Sequence, residues 1–370
     1  MCLFPKHYFY NDNEPEQFPF QAKAGGWELD KPNEKFWTLL EDVIDELGEN
    51  GIQCDLILFH PYDKWGFSKF TREEALTYLT YAVRRLAPKK NIWWSLANEY
   101  DAMEYEDDDW SAFADCVKEN DMIGHLLSIH NMIRPWDFSD ERMTHISLQL
   151  PNVDELALDF WHYGKPIVVD ECKYEGNIPM DWGNLSGFEM VDRFWKTAVQ
   201  GGYCTHGETF ADEKDILWWA KGGCLKGESP ARIAFFRNIM EELPVDPEFM
   251  GTILSDEQVE EFRKNPPKDM AANPVFKSAL KLENYRMRRF IAGKDGFVCR
   301  CGDEVFIHYY SRQNTITGVL QLPDTATYDV EVIDVWDMTR TKVLSGVSGM
   351  VFVPMAGKEG LAVLAKKCEG

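Results

Sequence analysis

Amphipathic helices alternate with short apolar segments from about residue 33 to residue 243, and this alternation constrains the fold more than any other feature of the chain. Parallel strands joined by covering helices produce this pattern. Capping residues predict four helix starts, at Asn33, Thr71, Ser186 and Ser229. Between the helices the pattern predicts seven strands, over residues 1–5, 52–60, 92–99, 125–131, 145–150, 166–171 and 203–209.

Seven strands are one fewer than a (β/α)8 TIM-type barrel contains. Because the first candidate strand begins at residue 1, we expect the first strand of the barrel to lie upstream of this chain. The α/β barrel with its connecting segment is predicted to span residues 1–285. Residues 286–370 are predicted to form a small all-β sandwich, because short β segments separated by turn signals recur there, over residues 296–300, 304–310, 317–322, 328–335, 350–354 and 361–365.

Carboxylates follow two of the predicted barrel strands. Glu99 ends the fourth strand of the expected barrel and Glu171 ends the seventh. In a β/α barrel the reactive residues stand at the carboxyl ends of the strands. Cleavage of a glycosidic bond needs one carboxylic acid that protonates the leaving oxygen and one carboxylate that stabilises or attacks the oxocarbenium centre. Glu99 and Glu171 fit these two roles.

Two segments carry a resemblance to a known group of enzymes. Trp93-Trp94-Ser95-Leu96-Ala97-Asn98-Glu99 and Lys165-Pro166-Ile167-Val168-Val169-Asp170-Glu171 resemble the strand-four and strand-seven signatures of clan A glycoside hydrolases, particularly the family-5-like and apiosidase-like barrels. The resemblance spans about residues 1–243. It implies that Glu99 is the acid/base, that Asn98 binds the sugar 2-hydroxyl, that Glu171 is the nucleophile, and that the anomeric configuration is retained. Residues 332–339 resemble the β-sandwich often appended to these enzymes.

The chain departs from these relatives at two places. An arginine near the end of strand two, which steadies the nucleophile in the relatives, lies outside this chain or is absent, and Gln149 stands where many members have a strand-six tyrosine or histidine. Glu175 follows Glu171 by four residues and is an alternative candidate for the nucleophile.

Further residues at predicted strand ends are candidates for substrate binding. The histidines among them are either sugar contacts or polar groups of the barrel rim. Trp218, beside Trp219, either stacks on a sugar or packs in the core. The predicted substrate-binding set is Asn98, His60, His130, Asn131, His206, Glu208 and Trp218.

Composition and missing motifs weigh against other functions. Lys and Arg number 39 and Asp and Glu 62, so the net charge of −23 repels nucleic acid and anionic membranes. There is no His-x-His pair for a metal-dependent amidohydrolase and no Gly-rich phosphate loop. We therefore expect a carbohydrate substrate and no metal or organic cofactor. The nine scattered cysteines and the absence of a signal peptide favour a cytoplasmic protein.

The sequence thus predicts a retaining β-glycoside hydrolase that acts on a plant-type oligo- or polysaccharide. A carbohydrate-binding barrel without catalytic activity is the alternative.

Overall fold

The computed structural model describes residues 1–7, 14–211, 224–266, 268–292 and 296–368. These residues form two compact units. Within the described residues, the first unit contains Met1–Gln149 and Lys165–Asp170, and the second contains residues 150–164, 171–211 and 224–368. No helix in the described ranges is both long and apolar enough to cross a bilayer.

The first unit alternates strands and helices. An antiparallel hairpin, β1 and β2, precedes the first helix. The elements are β1 Phe20–Lys23, β2 Gly26–Pro32, α1 Glu34–Glu49, β3 Cys54–Phe59, α2 Arg72–Leu86, β4 Ile92–Ala97, α3 Asp107–Asn120, β5 Leu127–Ser128, β6 Ile146–Gln149 and β7 Ile167–Glu171.

Local capping determines where α1 and α2 begin. The Asn33 side chain accepts a hydrogen bond from the Lys35 amide at 3.2 Å and so caps α1. Thr71 and Glu74 form a reciprocal capping box at the start of α2. One face of α2 is fully buried, because its apolar residues recur at helical spacing. This face consists of Ala75, Tyr78, Leu79, Ala82, Val83 and Leu86.

Parallel neighbours follow one another in chain order through this unit. β3 pairs with β4, and β4 with β5, in parallel register. An isolated parallel bridge joins His130 to Ser147, and the Ile146 amide donates to the Pro166 carbonyl at 2.8 Å, so β6 follows β5 and β7 follows β6. The strand predicted over residues 1–5 is reduced to one parallel bridge between Cys2 and Ile57. Parallel order aligns the carboxyl ends of these strands along one edge.

The second unit contains short strands, several helices and a β-rich segment at its end. Ser186 and Glu189 form the predicted capping box before α5, and Trp195 on that helix is fully buried. Ser229, predicted as an N-cap, is instead the first residue of α6. The elements before the β-rich segment are α4 Leu156–Phe160, β8 Glu175–Gly176, α5 Gly187–Val199, β9 Gly202–Cys204, β10 Glu208–Thr209, α6 Ser229–Glu241, β11 Glu248–Phe249, α7 Asp256–Lys264, α8 Lys268–Ala272, α9 Pro274–Ala279 and α10 Asn284–Ala292.

The β-rich segment contains all six predicted strands and one more. Six strands form a sheet in the order β11-β12-β13-β18-β15-β16, and β14 pairs with β17. Phe306, Tyr328, Val353 and Val363 are buried between the strands. The additional strand is β16, which was not predicted. The strands are β12 Phe297–Cys301, β13 Val305–Tyr309, β14 Thr317–Gln321, β15 Tyr328–Asp334, β16 Thr339–Val347, β17 Met350–Pro354 and β18 Leu361–Lys367.

Contacts inside the second unit attach the β-rich segment to α5 and α6. The Tyr309 and Ser311 hydroxyls donate to Asp192 of α5 at 2.8 and 2.7 Å. The Arg232 guanidinium of α6 lies 3.7 Å from the centroid of the Trp336 ring, and its Nε donates to the Trp336 carbonyl. Buried hydrogen bonds and a close cation–π contact make this attachment specific.

Candidate active site

Glu99 lies just beyond the end of β4 in the first unit. The Asn98 amide donates to the Phe59 carbonyl at 2.9 Å, which holds the ends of β3 and β4 together. Glu99 has left-handed backbone angles, φ 54° and ψ 54°, and is buried. The Tyr62 hydroxyl donates to Glu99 Oε2. A non-glycine residue in this conformation is strained, and such strain is common at functional sites.

The segment after Glu99 is joined to the segment after β5. The Tyr100 amide donates to the His130 carbonyl at 3.0 Å. The Asp101 carboxylate accepts hydrogen bonds from the three successive amides of Met132, Ile133 and Arg134, at 2.5, 2.9 and 2.7 Å. Although burial opposes the effect, these amides lower the pKa of Asp101, so its carboxylate is ionised at neutral pH. The backbone around Glu99 is therefore held in place by hydrogen bonds from the neighbouring segment.

Polar residues at the ends of β5, β6 and β7 form one network in the first unit. His130 Nε2 lies 3.3 Å from Gln149 Oε1, and His130 Nδ1 lies 3.8 Å from Asp170 Oδ2. The Ser147 hydroxyl donates to Asp170. Asn131 exchanges hydrogen bonds with the backbone of Gln149 at 3.2 and 3.3 Å. The structure thus brings together the predicted site residues His130 and Asn131, and it assigns polar partners to both.

His60 directly follows the end of β3 in the first unit. It is fully buried against the Phe4 ring, with 4.1 Å between the ring centroids. Its Nε2 is 3.1 Å from the Phe4 carbonyl oxygen. Burial, together with the charge of Lys6, lowers the pKa of His60 to about 3, so the ring is neutral. The sugar contact of His60 stays a prediction, and in this structure its side chain has no exposed surface.

Glu171 ends β7 and is partly exposed within the second unit. Cys172, the next residue, is buried, and its Sγ lies 3.4 Å from Cys204 Sγ. All nine cysteines lie in the described residues and are free thiols.

Glu175 and Glu208 together bind the turn that begins α6, and we call this arrangement the carboxylate clamp. Glu208 accepts the amides of Lys226 and Gly227 at 2.7 and 3.0 Å. Glu175 accepts the amides of Glu228 and Ser229 at 2.6 and 3.2 Å, and also the Ser229 hydroxyl. Four carboxylate oxygens therefore bind four successive amides at a helix N-terminus, where negative charge is stabilised.

The clamp bears on two predicted site residues. Glu208 is fully buried with both carboxylate oxygens bound to backbone amides, and its contact with substrate stays a prediction. Glu175, the alternative nucleophile, is 2% exposed and has the same kind of partners. This position suits a structural carboxylate better than a nucleophile, which must reach an anomeric carbon. No local pattern in the sequence indicates the clamp, because the amides that Glu175 binds are 53 and 54 residues away.

His206 lies beside the clamp. Its Nε2 is 3.7 Å from Glu208 Oε1, and burial lowers its pKa, so the ring is neutral at pH 7. Ligand-type atoms of Glu175, His206 and Glu208 lie within 4.8 Å of one another, which is the spacing of a candidate metal site. Backbone amides already donate to both carboxylates, and we therefore assign Glu175 and Glu208 a structural role. Trp218, the remaining predicted site residue, lies outside the described residues.

A surface cavity of about 1270 Å³ lies elsewhere in the first unit, against β2, α1 and α2. Arg85 and Glu41 both line it, and the Arg85 guanidinium donates two hydrogen bonds to Glu41, of 2.9 and 3.1 Å. None of the predicted catalytic residues lines this cavity.

Known proteins resemble this chain over both the predicted catalytic region and the β-rich segment. Residues 5–245 match the family model for the apiosidase-like catalytic domain, and residues 295–366 match a domain of unknown function, DUF5605. A search of curated proteins found no match.

Several solved structures are also similar to this chain. A crystal structure described as a putative glycoside hydrolase from Bacteroides vulgatus ATCC 8482 is 30% identical, with a TM-score of 0.80 over 100% of this chain and 72% of that one. A family 5 glycoside hydrolase from the same organism is 15% identical, with a TM-score of 0.61 over 90% of this chain and 74% of that one. The family 30 subfamily 8 xylanase Xyn30A from Clostridium acetobutylicum is 12% identical, with a TM-score of 0.50 over 92% and 86%.

The last two likenesses concern the fold alone. The family match and the 30% identical structure confirm the resemblance predicted from the strand-four and strand-seven segments. The chain is a glycoside hydrolase and belongs to the apiosidase-like catalytic domain family.

Proposed function

We propose that the chain is a retaining β-glycosidase that acts on a plant-type oligo- or polysaccharide, with Glu99 as the acid/base and Glu171 as the nucleophile. In this mechanism Glu171 attacks the anomeric carbon while protonated Glu99 gives its proton to the leaving oxygen. Glu99, now ionised, then takes a proton from the water that hydrolyses the glycosyl-enzyme. Two inversions give net retention.

The observation that carries the proposal is the setting of Glu99. It follows a buried parallel strand, its backbone is left-handed, and its carboxylate accepts a hydrogen bond from Tyr62. An acid/base must be held at one orientation while its proton leaves and returns. Asp101 and Tyr100 supply that rigidity through the segment after β5. Glu171 has the corresponding position at the end of β7 and keeps some solvent exposure.

The proposal includes the architecture around these residues. The parallel succession from β3 to β7 supports a (β/α)8 barrel over residues 1–285, whose carboxyl-end loops carry the site. Residues 286–370 would then be a separate β-sandwich domain. Asn98 is proposed to bind the sugar 2-hydroxyl, and His130, Asn131 and His206 to lie near the substrate.

The stereochemistry of the first product tests the mechanism without knowledge of the natural sugar. A panel of 4-nitrophenyl β-glycosides of pentoses and hexoses is screened, and the best substrate is hydrolysed in an NMR tube. Retention predicts that the β-anomer appears first and then mutarotates. An initial α-anomer would overturn the double displacement. Oligosaccharides from plant cell walls that contain the sugar of the best substrate then test the substrate class.

Variants assign the two glutamates. Glu171→Gln is expected to abolish turnover and to prevent labelling by a 2-deoxy-2-fluoro glycoside, which otherwise adds the mass of one glycosyl group. Glu99→Gln is expected to lose about 10²- to 10⁴-fold in rate on poor leaving groups and much less on 2,4-dinitrophenyl glycosides, which need no proton. Full turnover by Glu171→Gln, or equal losses by Glu99→Gln on both substrates, would contradict the assignment. If the wild type bound oligosaccharide without hydrolysing it, and the variants behaved in the same way, the result would favour the alternative of a carbohydrate-binding protein without catalytic activity.

A further inference from the structure

The segment after β5 exposes two large apolar side chains beside the backbone of Glu99. Met132 is 44% exposed and Ile133 is 81% exposed. Single exposed apolar residues are ordinary on protein surfaces. These two are adjacent, and their amides are two of the three bound by Asp101, two residues after Glu99.

Several contacts fix this segment in place. Besides the Asp101 hydrogen bonds, the Tyr100 hydroxyl donates to the Arg134 carbonyl at 2.8 Å. The Arg134 guanidinium makes a two-point ion pair with Asp107, at 2.9 and 2.6 Å, and lies 5.3 Å from the Tyr100 ring centroid. An apolar surface held by this many contacts loses little conformational entropy when a ligand covers it.

The position of Met132 and Ile133 relative to Glu99 determines which part of a substrate they would contact. An acid/base protonates the oxygen of the leaving group, so the leaving group lies on the side of that residue. The backbone hydrogen bonds tie the segment of Met132 and Ile133 to residues 100 and 101, which directly follow Glu99. Resting on the proposed function, we propose that Met132 and Ile133 contact the leaving group of the substrate and select leaving groups that present an apolar face, such as an aromatic ring or the C–H face of a sugar.

Two glycosides of one sugar test the proposal. The sugar is the best one from the 4-nitrophenyl panel, and the leaving alcohols are 2-phenylethanol and 2-methoxyethanol. Their acidities are similar, so a difference in kcat/KM between the two substrates reports contact with the leaving group rather than its reactivity. Wild type is expected to prefer the phenylethyl glycoside. Met132→Ser/Ile133→Ser is expected to reduce that preference about tenfold, because the variant buries less apolar surface against the ring.

The chain offers a matched control pair. Met122 and Ile123 have the same side chains, are 95% and 57% exposed, and precede β5 at its amino end. Their segment is also anchored by an aspartate, because Asp121 accepts the Ile123 amide. Met122→Ser/Ile123→Ser removes the same apolar atoms away from the proposed site and is expected to leave the preference unchanged.

A second measurement separates this inference from the proposed function. Hydrolysis of the glycosyl-enzyme, followed on a 2,4-dinitrophenyl glycoside whose leaving group departs first, is expected to proceed at the wild-type rate in Met132→Ser/Ile133→Ser. An unchanged preference in that variant, with retention and the glycosyl-enzyme intact, would overturn the inference alone. Loss of retention in the wild type would overturn the proposed function instead. An equal loss of preference in the control variant would also refute a local contact.

Discussion

Glu175→Gln separates a structural carboxylate from a catalytic one. Glu175 accepts hydrogen bonds from the Glu228 amide, the Ser229 amide and the Ser229 hydroxyl, at a site that is 2% exposed. A glutamine keeps one acceptor oxygen and turns an NH₂ group toward the remaining donors. The variant therefore loses one or two charge-assisted hydrogen bonds, at about 1.5 to 3 kcal/mol each, and the favourable interaction with the α6 N-terminus, at about 0.5 kcal/mol.

The expected total is about 3 kcal/mol, and hydrogen exchange measures it locally. If the clamp opens as a unit, amides at the start of α6 should exchange about 100-fold faster in Glu175→Gln than in wild type, since 1.4 kcal/mol corresponds to a factor of ten. Activity at low temperature, where the chain stays folded, should be largely retained. Glu171→Gln should show the reverse, with wild-type exchange in α6 and no turnover.

Glu241→Gln is the control for loss of a charge in the same helix. Glu241 is exposed at the end of α6 and pairs with Arg237 on the surface, an interaction worth less than about 1 kcal/mol. It should leave both exchange and activity near wild type. If Glu175→Gln kept normal exchange in α6 but lost turnover, Glu175 would act in the chemistry and our assignment of the nucleophile would fail.

Three further variants test other contacts. Tyr62→Phe removes the hydroxyl that donates to Glu99 and should lower kcat/KM about 10-fold or more on alkyl glycosides but less on dinitrophenyl ones; equal losses would show that the hydroxyl does not act through Glu99. Burial, with the nearby Asp170 carboxylate, raises the pKa of Asp55 from 3.8 to about 7, so the folded state binds this proton more tightly and stability falls as pH rises from about 4 to 7. Asp55→Asn should thus match wild type in urea unfolding at pH 4 and be about 2 to 4 kcal/mol more stable at pH 8, the lower value allowing for the partial exposure of Asp55; a gain at pH 4 would contradict this. Trp336→Ala removes the ring under Arg232 and should lower the free energy of unfolding by about 2 to 3 kcal/mol in denaturant titrations, whereas a change below about 0.5 kcal/mol would show that the contact is not stabilising.

Local sequence signals predicted the elements that depend on neighbouring residues. The capping boxes at Thr71 and Ser186 mark real helix starts, because the partners in a box are three residues apart. The ends of β4 and β7 were found for a similar reason, since a buried strand followed by polar residues is visible in a short window. These signals were enough to identify the family and the two glutamates that we propose as catalytic.

Features that depend on distant residues could not be predicted in this way. The role of Glu175 is set by amides in the turn before α6, and the burial of His60 by Phe4, 56 residues away. Strand β16 was missed because it is mostly exposed and polar, as strands at the edge of a sheet commonly are. The segment over residues 1–5 has strand-like composition, yet only Cys2 finds a bridge partner.

The left-handed backbone of Glu99 has a consequence for anyone who sets out to make this enzyme more thermostable. Four non-glycine residues of the described chain have positive φ angles, Glu99, Lys173, Ser311 and Met338. Replacing such residues by glycine is a standard route to a gain of about 1 kcal/mol, because glycine adopts this conformation without strain. A search for stabilising substitutions that considers only φ angles would select both Glu99→Gly and Met338→Gly. Glu99→Gly would remove the proposed acid/base, whereas Met338→Gly alters only a turn between β15 and β16. Under the proposed role of Glu99, replacing it by glycine would raise thermal stability and abolish turnover, so a stabilised variant should keep the strained backbone at this position.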